Sequence, residues 1–414
     1  MRSRSNLSIR FVLATNLPGS VTRITAETAS VLVRWGIPVT VVFPVVDWLD
    51  FKLFEISRLR PMQKLRWALS LAREVVVKGL LPRRWCGFST YQADPAIRTI
   101  RFLRTPPLAG LQQKEMIVVH HLYLVPHMLV QACAHQSKIV GVVHINYQQA
   151  IQSPCSESSA WIKYCVAVLR SINIPWFAVS EEARRSAEEF GIPIQRVIHN
   201  GVDLEKFRPG IDPTKRKNEK LRVTLFCATN VQKGQRIGAE AISSLKGTFP
   251  EVFFSSLGTV LPEYRSLFDH DYGFLNGQAY VKALQETDIF VYPSLWDGFP
   301  APPLEGMACG CAVITTDVEG VTEYAVGGEN CLLVERGNVK MLRDRIVQLI
   351  QDESLRQKLR HAAPITAQNL GVEQSAEKLL DFLAEVYDSH SVKSQPRIVE
   401  EAMFETMPRW MGPF

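Results

Sequence analysis

The chain has 414 residues, of which 46% are hydrophobic and 21% charged, and carries a formal net charge of +6. That length exceeds one ordinary core and favours two domains, the composition excludes a disordered chain, and no run approaches the ~20 apolar residues that span a bilayer. Charge is uneven: between Lys52 and Arg104 twelve basic residues stand against three acidic ones, so one local surface is strongly positive and the remainder slightly acidic.

In chain order, the start "MRSRSNLSIRF" has basic residues but no apolar h-region, so the expected compartment is the cytosol. "IRFVLA" reads as a strand buried on both faces, and "TNLPGS" breaks it at Pro18 and Gly19. Ile24, Thr28, Val31, Leu32 and Trp35 fall on one helical stripe, Gly36 stops the helix, and "VTVVF" returns as a strand, which makes a βαβ unit. Region 48–104 fits that scheme poorly. Its amphipathic stretch Met62–Leu81, with Lys64, Arg66, Arg73 and Lys78 interleaved, predicts a basic helix suited to an anionic membrane surface. "MIVV", "KIVGVV" and "WFAVS" extend the first sheet, and the polar "FRPGIDPTKRKNEK" reads as a linker. Beyond it "RVTLFCA", "VFFSSLG", "DIFVYPS", "CAVITT" and "NCLLV" are strands, with helices predicted over 234–247, 279–286 and 303–309 and a last one over 372–388. The pattern predicts two doubly wound α/β domains. None of the eight cysteines is paired as C-x-x-C, which suits buried free thiols in a reducing compartment, and the nine histidines lack zinc-site spacing.

Three stretches carry chemistry. In "LFCATNVQKGQRIGAEAISSL" a helix opens after the first strand of the second domain, so backbone N–H groups and Lys233 are placed to meet an anion. In "LWDGFPAPPLEGMACG" a strand ending at Tyr292 delivers the loop to the carboxyl edge of its sheet. There Pro302 and Pro303 suit a first helical turn and set Glu305 just inside the helix N-terminus. Two carboxylates, Asp297 and Glu305, can accept hydrogen bonds from vicinal hydroxyls, as sugar-binding proteins commonly arrange. In "VIHNGVDLEKFRPG", Asn200-Gly201 predicts a tight turn and Asp203 a cap. Asp269-His270-Asp271 spells D-x-D, but in a polar loop remote from a first-domain strand end, so it is set aside as a metal site.

Asn200, Gly201, Val202, Asp203, Phe207 and Pro209, together with Pro293, Ser294, Asp297, Gly298, Phe299, Glu305, Met307 to Gly310 and then Gly320 and Glu323, resemble the motifs of family 4 glycosyltransferases of the GT-B type. Asp297 stands where that family usually has Glu, Pro300 where it often has Gly, and its phosphate-binding Arg is replaced by the neighbourhood of Ala228 and Thr229. The resemblance implies two Rossmann-like domains facing a cleft. An acceptor-side domain would occupy 1–195, with 48–104 as a basic insertion, and a donor-binding domain 196–371. A helix over 372–390 would return to the first domain, leaving a tail over 391–414.

It further implies sugar transfer with retention from a nucleotide-diphosphate sugar to a saccharide or lipid-linked acceptor, in cell-envelope polysaccharide biosynthesis. No metal or other cofactor and no nucleic acid is expected, and the place is cytoplasmic, peripheral at the inner face of a membrane. Asp297, Glu305, Lys233 and His144 are the implied catalytic set. Gly19, Ser20, Asn230, Lys233, Arg236, Phe274, Asn276, Gly298, Phe299 and Glu305 would line the donor site. A sugar-nucleotide epimerase or soluble sugar synthase, and a catalytically weak scaffold subunit, use the same scaffold and are the alternatives.

Overall fold

The computed structural model describes residues 7–13, 20–44, 94–102, 115–120, 138–147, 174–210 and 220–389. Gly19, the predicted basic helix Met62–Leu81, most of the linker and the tail 391–414 lie outside these residues. The chain divides into two units, Met1–Ile198 with Ala376–Phe414, and His199–Ser375.

Among the described residues, seven parallel strands build the first unit: β1 (Ser8–Val12), β2 (Val39–Pro44), β3 (Arg98–Phe102), β4 (Glu115–Val119), β5 (Lys138–Val143), β6 (Trp176–Ala178) and β7 (Arg196–Val197), in the order 3-2-1-4-5-6-7. β1 is buried on both faces, as a central parallel strand must be, yet it contains Arg10. The guanidinium is compensated by Glu115 of β4, with Nε at 3.0 Å and Nη2 at 2.9 Å from Oε2, both side chains being 1% exposed. β3 corrects the reading of 48–104, because 98–102 pair with Thr40 to Pro44 and belong to the sheet.

Helix α1 (Ser20–Arg34) buries Ile24, Thr28, Val31 and Leu32 as predicted, but Trp35 is 43% exposed. The helix ends in a Schellman motif: Gly36, at φ 81°, donates to Val33 O, and Ile37 N donates to Leu32 O at 3.0 Å. The chain leaves helical geometry at Gly36, just after Trp35, and Ile37 takes the buried place beside Leu32. A second helix, α2 (Glu181–Glu189), opens on Ser180, whose Oγ accepts from Ala183 N at 3.0 Å.

Among its described residues the second unit holds six parallel strands: β8 (Leu221–Cys227), β9 (Val252–Gly258), β10 (His270–Asp271), β11 (Ile289–Tyr292), β12 (Ala312–Thr316) and β13 (Leu332–Val334), in the order 10-9-8-11-12-13. Helices α3 (Gln235–Ser243), α4 (Gly277–Gln285), α5 (Ala301–Ala308), α6 (Glu319–Thr322), α7 (Val339–Gln351) and α8 (Glu353–Gln368) connect or follow them. The D-x-D triplet is not loop: His270 and Asp271 pair with Ser255 and Ser256 as an edge strand. Both sheets reverse their winding beside their first strand, and in the second unit the switch lies between β8 and β11, where a doubly wound sheet opens a crevice at its carboxyl edge.

The final helix α9 (Val372–Ser389) starts in the second unit, and from Ala376 onward belongs to the first. There Phe382 meets Phe177 edge-on at 5.9 Å, Arg196 pairs with Glu385 at 2.8 Å, and Lys138 donates to the carbonyls of Val386 and Tyr387.

Candidate active site

Two loops leave the carboxyl edge at the switch of the second unit, one after β8 and one after β11. In the first, Asn230 accepts from Gln232 N at 3.0 Å and caps a short 3-10 turn, Val231–Lys233. Gly234 ends it at φ 66°, and a Cβ there would lie 1.8 Å from Pro293 O, so only glycine lets the two loops meet. Leu295 N donates to Gln232 O at 2.7 Å, and Gln235 ties the arrangement to Thr259 O and Leu261 N.

The stitched loops bring Lys233 onto Asp297: Nζ lies 2.7 Å from Oδ1 and 2.8 Å from Oδ2. Oδ2 also accepts from Tyr292 Oη at 2.7 Å and from Ser294 Oγ at 2.9 Å. Burial, and then the neighbouring Asp297 charge, push the Tyr292 phenol well above its ordinary value, so it remains a proton donor to that carboxylate. The sequence had set Lys233 and Asp297 facing different parts of a ligand; here each is the other's partner, because Gly234 allows the loops to touch.

Glu305 lies in the second turn of α5, after Ala301, Pro302 and Pro303 have opened the helix, rather than at its first residues. The carboxylate is 2% exposed and accepts from Tyr280 Oη of α4 at 2.8 Å. Helical side chains lean toward the N-terminus, which carries the carboxylate back toward the start of the helix. Phe299 is buried against His199, with ring centroids 4.9 Å apart, while Gly298 is approached so closely by Gly320 that a Cβ on the latter would sit 2.0 Å from Gly298 O. His199 Nε2 lies 2.7 Å from Glu323 Oε2, Asn200 Nδ2 donates to Phe299 O at 3.3 Å, and Tyr324 Oη donates to Pro300 O at 3.0 Å. The N-G-V-D and G-x-x-E segments thus clamp the loop that presents Asp297.

Gly201 does not make the predicted tight turn. Val202 bridges Gly371, and a Cβ on Gly201 would lie 2.4 Å from Val372 Cα, so the residue serves close backbone approach, while Asp203 caps Glu205 and Lys206 as read from the sequence. Arg236 stands apart from the cluster, 76% exposed on α3 with Glu240 at 3.8 Å. Phe274, 52% exposed, and Asn276, which precedes α4, follow β10 at the same carboxyl edge. Asp269 and Asp271 are occupied structurally, accepting from Phe254 N at 2.9 Å and from Ser256 Oγ at 2.8 Å. In the first unit Ser20 opens α1, and His144 follows β5 with its Nε2 2.9 Å from His120 Nδ1 and the rings stacked 5.1 Å apart. Sequence reasoning did not name Tyr292, Ser294 or Tyr280 as functional; the first two flank a quoted strand end, whereas nothing local ties Tyr280 to Glu305.

Residues 270–365 match the family described as glycosyl transferases group 1. The stretch of the second unit from 270 to 365 is therefore similar to group 1 glycosyl transferases. Its matched span runs from β10 to α8 and includes Asp297, Glu305, Gly320 and Glu323. The chain is 28% identical over 179 residues to the capsular polysaccharide biosynthesis glycosyltransferase CapM of Staphylococcus aureus, covering 39% of this chain and 46% of that protein. It is 27% identical over 239 residues to the lipopolysaccharide core biosynthesis mannosyltransferase LpsB of Rhizobium meliloti (strain 1021), covering 51% and 65%. The chain thus spans about half to two thirds of the length of these two curated relatives. Among solved structures, sucrose-phosphate synthase from Thermosynechococcus elongatus superposes with a TM-score of 0.68 at 16% identity, covering 93% of this chain and 100% of that one. Anabaena HepE in complex with UDP gives a TM-score of 0.66 at 16% identity, covering 91% and 100%. The fold is GT-B. No helix among the described residues is long and apolar enough to cross a membrane.

Proposed function

We propose that this chain is a nucleotide-sugar-dependent glycosyltransferase that moves a sugar, with retention and without a metal ion, to a saccharide or lipid-linked acceptor in cell-envelope polysaccharide biosynthesis. The observation that carries the reading is the cluster at the switch of the second unit, where Lys233, Asp297 and Glu305 are brought by three separate elements to one sheet edge. On this reading Lys233 and the backbone N–H groups of its turn receive the diphosphate, Glu305, oriented by Tyr280, accepts from the ribose hydroxyls, and Asp297 accepts from hydroxyls of the transferred sugar. Catalysis is then electrostatic and positional, stabilising the departing diphosphate while the sugar is held in line. CapM and LpsB, whose names place them in capsule and lipopolysaccharide synthesis, support an envelope acceptor, and HepE, solved with UDP, supports a nucleoside diphosphate as the leaving group.

The test is a thermal-shift panel of UDP, GDP, ADP, TDP and CMP on the parent protein and on Glu305→Ala. One diphosphate should raise the melting temperature of the parent, as any ligand that binds only the native state does. The same ligand should do much less for the variant, and equal stabilisation of both would displace Glu305 from the site. The basic stretch from Lys52 to Arg84, outside β3, is proposed to rest on an anionic membrane, on its charge alone. Co-sedimentation with vesicles containing anionic lipid at low salt checks this, and protein that stays in the supernatant rejects it.

A further inference from the structure

We infer that Lys233 and Asp297 hold each other out of use until a diphosphate arrives, so that the carboxylate becomes available to a sugar only after phosphate has drawn the lysine away. This rests on the proposed function, and adds to it a competition between two of its residues and an order of events.

Four bonds hold Asp297. Its Oδ2 is held by Tyr292 at 2.7 Å and by Ser294 at 2.9 Å, both on or beside the strand end, and by Lys233 at 2.8 Å. Its Oδ1 is engaged by Lys233 alone among the bonds described, at 2.7 Å. If the lysine departs, the carboxylate keeps its position through two hydroxyl donors, and one oxygen is opened to a new donor. Lys233 is suited to depart. It is the last residue of a short turn before Gly234, its ammonium sits on a flexible four-carbon stem, and its side chain is 25% exposed against 15% for Asp297.

The charge balance sets the direction. In "ATNVQKG", the loop from Ala228 to Gly234, Lys233 is the one cation, and its pairing leaves it with no net positive charge to offer. A neutral hydroxyl does not displace an ammonium from a carboxylate, whereas a diphosphate, with more charge and several strong acceptor oxygens, competes for it directly. Free sugars and nucleosides therefore meet a blocked Asp297, and ligands joining a diphosphate to a polyol release it. The loop selects for the linked donor by making its two ends interdependent.

Isothermal titration of the nucleoside diphosphate that stabilises the parent, without any sugar, tests the exchange. Asp297→Asn should bind it about three- to tenfold more tightly than the parent, because no carboxylate competes for the lysine. Asp297→Ser gives a second, shorter variant should the amide disturb the loop. In a Lys233→Ala background the Asp297→Asn change should move affinity by less than about twofold, because the competition has been removed. Unchanged or weaker binding by both Asp297 variants overturns the inference, and so does a gain that persists without Lys233, which would be general charge repulsion. A parent that binds no nucleoside diphosphate would overturn the proposed function itself, which is a different result from a parent that binds but gains nothing.

Discussion

Lys233 is the one cation of the loop from Ala228 to Gly234, and its value there follows from the company it keeps. A charge-assisted hydrogen bond contributes about 1.5–3 kcal/mol, so Lys233→Ala should weaken nucleoside diphosphate binding by about ten- to a hundredfold, measured by titration calorimetry. Tyr280→Phe removes the hydroxyl that orients Glu305 without emptying its pocket, and should lower kcat/KM of the proposed transfer more than it lowers the melting temperature. The cysteines make a separate prediction. Burial, with the Asp271 charge adding to it at Cys227, pushes the thiols of Cys227 and Cys331 up to about 12 from a usual 9.0. A raised folded-state value means that the stability these neutral thiols supply is whole below pH 9 and is lost as pH climbs toward 12. Denaturant melts at stepped pH should therefore show a steeper alkaline loss in the parent than in Cys227→Ala/Cys331→Ala, whatever the variant's baseline. The sequence marked Asp297, Glu305 and Lys233 as candidate residues of one edge, but the pairing of the first with the third depends on side chains 64 residues apart and is invisible to spacing.

Elements with strong periodicity or long apolar runs were legible: β1, β2, β4, β5 and the strands of the second unit other than β10 stand where the sequence puts them, and α3, α4 and α5 lie within four residues of expectation. Those missed share a physical cause. α2 buries only Ala183, Ser186 and Ala187, too small and polar to print an apolar stripe, and α8 carries Pro364 inside it. β10 is two residues long and charged, and exists because β9 offers it an edge. Between elements, glycines decide the geometry. Gly234→Ala would drive a Cβ to within 1.8 Å of Pro293 O at a φ of 66°, and Gly320→Ala to within 2.0 Å of Gly298 O. Each should separate the loops it joins, lowering the melting temperature and abolishing the ligand-induced shift. A variant that kept the shift would show that the contact is dispensable.

Across the whole molecule, each unit has its own sheet and buried strands, so damage and ligand effects should be separable. Glu115→Ala breaks the buried ion pair with Arg10, and breaking such a pair costs about 3–5 kcal/mol. Hydrogen exchange should show that loss in β1 and β4, while a nucleoside diphosphate should protect amides of the second unit around 228–234 and 293–300. Arg10 also marks the limit of reading by pattern, since a charge in a central strand looks tolerable or not only once Glu115 is seen beside it. By itself the sequence determined the fold class, two doubly wound units and the edge that carries the candidate site, because hydrophobic period, turn residues and a motif are local and survive in one dimension. Only the tertiary structure decided what the site's charges do: Lys233 meets Asp297, Tyr280 meets Glu305 and His199 meets Glu323 because loops from different strands are brought within bonding distance, and contact at long sequence separation leaves no periodic trace.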